Sequence, residues 1–229
     1  GDGRRRWFTQ RRGPMPLSKF EKVLPWSGAL AGVLFAVQEA VAPFGEKVND
    51  PNLTSNVAHA LGRGYASGFA SLVAALMLYF FAAAARASQR TGEAAESSYS
   101  SVAHGGLVGA GAGLAFQGFA QVALTSAAHD GQKAAVATLM YVSFYAWLAI
   151  LAGLVAAFWG IGLGGLRNAT LPKWFAMVTV VLGVIGVLGP LAALVQIVLP
   201  LWLIGATVVI AGRQRSPAST HPGNLLVRS

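Results

Sequence analysis

The sequence predicts an all-α, polytopic membrane bundle of about six transmembrane helices with both termini in the cytoplasm. Three observations carry that expectation. Hydrophobic residues make up 55% of the 229 residues and charged ones only 11%, against roughly 25% charge in soluble domains. Apolar runs recur along the chain, most of them reaching the ~20 residues that a helix needs to cross a hydrocarbon core of ~30 Å. The basic residues also sort by side. Of the 17 Lys and Arg, only Lys47, Arg63 and Lys133 fall in segments assigned to the outer face, as the positive-inside rule asks of a six-span chain.

The elements follow in order. A basic arm over residues 1–23 carries Arg4, Arg5, Arg6, Arg11, Arg12, Lys19 and Lys22. With Trp7 and Phe8 set among the arginines, RRRWFTQRR reads as an interfacial segment, its rings in the headgroup layer and its guanidiniums on anionic lipid phosphates or a cytoplasmic partner. The net charge of +9 therefore points to a membrane surface and not to nucleic acid, because the basic residues are not gathered on a soluble domain. The first apolar stretch runs straight into later spans and has no convincing A-x-A exit, so it is read as a retained span rather than a cleaved signal.

Spans are expected at 24–44, 65–86, 101–128, 134–160, 174–189 and 192–211, forming one bundle over 24–212. The last two are contiguous, yet one helix from Trp174 to Ala211 would be about 57 Å long, so a hairpin is expected at Gly189-Pro190, where proline removes a donor and disfavours helix before it. Between the first two spans, a DPN turn and the stretch SNVAHALGRGY suggest a short amphipathic helix at the interface. The inner loop SQRTGEAAESS is polar, and the tail over 213–229 is expected to be disordered.

Small residues recur at helical spacing: Gly28 with Gly32, Gly105 with Gly109 and Gly113, and Gly160 with Gly164. In lipid such steps let backbones approach closely, either within the chain or against a second copy or another membrane protein. WGIGLGG contains a G-x-G-x-x-G pattern, but it ends a long apolar helix instead of joining a strand to a helix, so dinucleotide binding is not expected. The chain has no cysteine, which removes thiolate metal sites and disulfides. His59, His104, His129 and His221 do not share a face at mid-membrane depth, and neither metal nor cofactor is expected. HExxH, GxSxG and Walker patterns are missing, and enzymatic activity is not expected.

Polar residues inside the spans form the candidate site. Glu39 lies eleven residues beyond Gly28 and only about 20° from it around a helix, so it shares the small-residue face and should point at protein, with Gln38 beside it. Gln117 falls near the Gly106 and Gly113 stripe, with Gln121 one turn further. Glu39, Gln117, Gln121, Tyr141 and Gln196 all fall in the outer part of their helices and are expected to meet. An ionised carboxylate at membrane depth costs several kcal/mol unless solvated or paired, and no Lys or Arg lies in the predicted apolar cores. Glu39 is therefore expected to be a neutral acid hydrogen-bonded to glutamine or tyrosine, or else open to water. A polar clasp between helices and a site for a proton, cation or small polar ligand are both compatible with that set.

The segments YASGFASLVAALMLYFFAAAARASQR, HGGLVGAGAGLAF, GLRNATLPKWFAMVTVVLGVIG and LPLWLIGATVVIAGRQR together resemble a family of multi-pass membrane proteins of unknown function found in actinobacteria. The resemblance implies a six-helix bundle over roughly residues 25–215 and brings no reaction and no site residues. The basic arm and Gln38-Glu39 depart from that pattern. The functional expectation is a non-enzymatic protein of a bacterial cytoplasmic membrane, an accessory or scaffold subunit of a membrane complex or a homo-oligomer. The alternative is a small-solute or proton transporter, or a ligand-binding protein, with Glu39 as the protonatable group.

Overall fold

The computed structural model describes residues 19–42, 50–90, 93, 97–188 and 191–215. Among them the chain forms eight helices and no strand: α1 (Lys19–Val23), α2 (Trp26–Val41), α3 (Leu53–His59), α4 (Leu61–Arg90), α5 (Tyr99–His129), α6 (Lys133–Arg167), α7 (Lys173–Val187) and α8 (Ala192–Arg215). The basic arm with Arg4, Arg5, Arg6, Trp7, Phe8, Arg11 and Arg12, the Gly189-Pro190 corner, and the tail beyond 215 lie outside the described residues.

Local chemistry sets most boundaries. Pro25 lacks an N–H but keeps a helical φ of −60° and ψ of −30°. The chain therefore turns through it, with Leu24 N–H donating to the Phe20 carbonyl at 3.0 Å and Gly28 N–H to the Pro25 carbonyl at 3.1 Å. Ala42 precedes Pro43 and takes ψ 137°, since proline disfavours helix at the residue before it; α2 ends there. Between α5 and α6 the chain reverses at Gly131, whose φ of +71° costs glycine nothing. The short helix expected over 55–65 instead occupies Leu53–His59, and the following GRGY joins the long α4.

Each of the long helices packs against its neighbour in the chain, and α8 returns to α2. The order α2, α4, α5, α6, α7, α8 thus closes into a ring with antiparallel neighbours. The ring encloses an apolar core that includes Phe35, Phe81, Leu107, Leu154 and Phe158. Trp202 sits in it with its ring stacked on Phe175 at 6.2 Å and edge-on to Phe158 at 4.8 Å. Its indole N–H donates to Thr179 Oγ1 at 3.0 Å, which meets the need of a buried indole for an acceptor and pins α8 to α7.

The tightest seam joins α5 to α6. A methyl group added at Gly106 would fall against the Ala157 amide and 2.7 Å from the Gly153 carbonyl. One at Gly153 would strike the Ala110 amide, one at Gly160 the Ala103 amide, and one at Gly113 would lie 2.8 Å from the Ile150 nitrogen. Backbone meets backbone along the whole seam, as small residues allow in apolar helix pairs. The sequence predicts close approach at Gly105, Gly109 and Gly113, within the chain or against a partner, and of the three Gly113 alone lies tightly in this seam. Gly105 has open space around its missing side chain, and Gly109 is in ordinary contact with Gly153. A strict four-residue step advances about 40° around the helix each time. The contact row instead alternates threes and fours through Ala103, Gly106, Ala110 and Gly113. Gly28 packs on Phe81 and Thr207 Oγ1, Gly32 lies 2.8 Å in the same sense from the Pro200 carbonyl, and Gly164 packs on Tyr99.

Four helices, α4, α5, α6 and α8, are long and apolar enough to cross a membrane, whereas α2 and α7 are shorter apolar helices of 16 and 15 residues. The unequal lengths leave the ring uneven. Gly186, near the end of α7, packs against Leu151 and Val155 of α6, so the first five turns of α6 rise past the end of α7. Part of that projection is covered by α3, whose Leu53 and Val57 pack with Leu124, Ala127, Ala128, Val136 and Met140 at the joined ends of α5 and α6.

Candidate functional site

A polar layer crosses the bundle from the level of the last turn of α7 to beyond its end. Glu39 enters it from the last turn of α2, Gln117 from α5, Ser143 from α6 and Gln196 from the first turn of α8. These four line a cleft of about 340 Å³ whose remaining walls are Phe144, Tyr145, Trp147 and Leu148 of α6. The cleft exists because α7 stops short: Ser143 lies eight residues, about 12 Å, beyond Leu151 along α6, where among the described residues no helix follows α6 on that side. Phe144, Tyr145 and Leu148 stay exposed as a result. The volume falls in the range of small-molecule sites, which are mainly apolar with a few convergent polar groups.

The polar floor is well buried and poorly satisfied. Gln117 is 5% exposed and Ser143 1%, yet Gln117 Oε1 and Ser143 Oγ have no hydrogen-bond partner. Buried polar groups are nearly always paired; these two oxygens are themselves shielded from solvent, and other unpartnered side-chain atoms occur away from the cleft, at Gln89, His104 and Thr170 among the described residues. Gln38 donates from Nε2 to Glu39 Oε1 at 2.9 Å, leaving its own Oε1 buried without a donor. The Gln196 side chain approaches the Glu39 carboxyl from α8. Pro200 adds one more acceptor, because it has no N–H to offer the Gln196 carbonyl one turn earlier. Ser67 donates to the Gln38 carbonyl at 3.3 Å and ties α2 to α4 at this level.

The sequence-predicted set is thus partly assembled. Gln38, Glu39, Gln117 and Gln196 come together. Gln121 is fully buried one turn from Gln117, with both amide atoms unpartnered, but does not line the cleft. Tyr141 is half-exposed and also lies outside the lining, where Tyr145, one turn later, takes the expected aromatic position. Ser143, Phe144, Trp147 and Leu148 were missed, since serine and large apolar residues are unremarkable in an apolar span. A signal was present: the fifth predicted span is much shorter than the fourth, so part of the fourth must lack that neighbour.

No Lys or Arg lines the cleft among the described residues. Arg63 of α4 comes near the end of α2 but donates its Nε–H to the Val41 carbonyl at 3.2 Å, capping the helix terminus. Among the described residues no group of three or more His, Cys, Asp or Glu is placed to hold a metal ion.

The fold and this layer define an all-helical bundle of multi-pass membrane type, with a half-open acidic cleft in its wall. Comparison of the chain with protein-family models, curated proteins and solved structures finds no match in any of the three.

Proposed function

We propose that the chain crosses a bacterial cytoplasmic membrane six times, with both termini in the cytoplasm, and binds a small polar molecule in the cleft of Glu39, Gln117, Ser143 and Gln196 near the outer face. The observation that supports this reading best is the Glu39 carboxyl group opening on a largely apolar cleft of about 340 Å³ that no basic side chain lines among the described residues. A polar clasp would satisfy its own groups. A binding site leaves them for a ligand, at a cost to the empty protein of about 1–3 kcal/mol for each buried group unsatisfied.

Gln117→Leu separates the two. For a binding site, the ligand-free variant unfolds in mild detergent at the same or a higher temperature than the wild type, and native mass spectrometry of protein extracted from its own membrane shows a small-molecule adduct on the wild type alone. A destabilised variant, with no adduct on either protein, would falsify the binding reading and favour the clasp.

A scaffold role is the second reading, and one feature favours it. Gly105 and Gly109 stand on the uncovered side of α5, where a helix of a second copy or of another membrane protein finds close approach. The same native spectra read the oligomeric state, and a bare monomer counts against it.

A further inference from the structure

The chemistry of the cleft names the kind of molecule it would take, on the small-ligand reading given above. What faces the cleft is a carboxyl group without a basic partner, set among amide and aromatic side chains. Glu39 brings a carboxyl group, and Gln117, Ser143 and Gln196 stand beside it in the lining. Gln38 turns its amide nitrogen to Glu39, so part of the carboxyl's demand is met while its charge is not: among the described residues no basic side chain lines the site.

A carboxyl group so placed is completed by a donor that carries positive charge. A bare metal ion fits poorly, because hard cations need six to eight oxygens and the facing wall is Tyr145, Trp147 and Leu148. Aromatic faces attract organic cations through their negative quadrupole, and Trp147 is held in place by ring contact with Phe35 at 6.4 Å. We propose that the cleft is a receptor for an organic ammonium ion with an apolar tail. The ammonium group sits against Glu39, and the tail lies along Tyr145, Trp147 and Leu148 toward the open side left by α7.

The lack of native cysteine supplies a clean test, since a Leu148→Cys variant carries a single thiol in the wall of the cleft at an exposed position. Labelling of the folded protein in detergent is compared between a trimethylammonium-ethyl and a sulfonato-ethyl methanethiosulfonate, each rate normalised to a free thiol in solution. A cleft of one sign raises the local concentration of the opposite charge, so the cationic reagent should lead by ~10-fold or more, and adding Glu39→Gln should abolish the lead. Phenethylammonium should slow the labelling, and its neutral counterpart phenethyl alcohol should not. Equal normalised rates, a preference that survives Glu39→Gln, or protection by the alcohol equal to or greater than that by the amine overturns the cation class while leaving a small-molecule cleft in place. A thiol that resists even the small neutral methyl methanethiosulfonate in the folded protein, yet reacts after unfolding, overturns the cleft and the cation together.

Discussion

At the scale of single residues, one position along α5 decides between neutrality and disruption. Gly105 and Gly106 are adjacent and chemically identical, yet the first meets nothing within 4 Å and the second lies on the backbone of α6. Gly105→Ala is expected to stabilise the protein by up to about 1 kcal/mol, because alanine loses less conformational freedom in a helix. Gly106→Ala is expected to destabilise it by about 1–3 kcal/mol or more, because a methyl group must force two packed backbones apart. Thermal unfolding of both variants in one detergent reads the contrast, and similar effects of the two would refute the seam. The spacing of glycines was visible in the sequence. Their register was not, since a row of fours and a row of alternating threes and fours share Gly113 and diverge only around the helix axis.

At the scale of elements, the start of α5 shows how a helix end is held without the usual cap. Ser98 occupies the cap position but makes no side-chain bond to the helix. The Glu93 carboxylate instead accepts the Ser100 N–H at 3.0 Å, placing a negative charge at the positive end of the helix dipole. Desolvation pushes the Glu93 carboxyl upward, but hydrogen bonds led by those from Ser100 outweigh it and hold the carboxyl below its usual range. A depressed folded-state value means that the contribution is present above the unfolded value of about 4.3 and fades as pH falls through the folded one. Amide exchange over Tyr99–Val102 should therefore be faster in Glu93→Gln than in wild type at neutral pH, and the difference should close in acid. A difference that widens in acid would contradict the sign. The signal for this cap was not legible beforehand, because SQRTGEAAESS reads only as a polar loop and no local pattern tells which of its carboxylates reaches α5.

At the scale of the whole molecule, hydropathy and charge located all six apolar helices to within a few residues at most ends, because each is a local property of its own segment. Closure of the ring through α2 and α8 is a contact between residues far apart in the chain, such as Thr207 Oγ1 donating to the Pro25 carbonyl at 3.1 Å, and no periodicity announces it. The six-crossing topology makes a direct prediction in the cysteine-free chain. Single Lys133→Cys and Arg167→Cys variants, at the two ends of α6, should label from opposite sides of intact inverted and right-side-out vesicles. Labelling of both from one side would sink the topology.

The unequal reach of α6 and α7 has a consequence for the lipid itself. Fifteen helical residues span about 22 Å and thirty-five about 52 Å, so no flat slab of constant thickness suits both. On the six-crossing reading proposed above, the bilayer beside α7 would thin to meet its end, and that dip would bring the headgroup layer toward Glu39, where a charged solute could arrive without first shedding its water in oil.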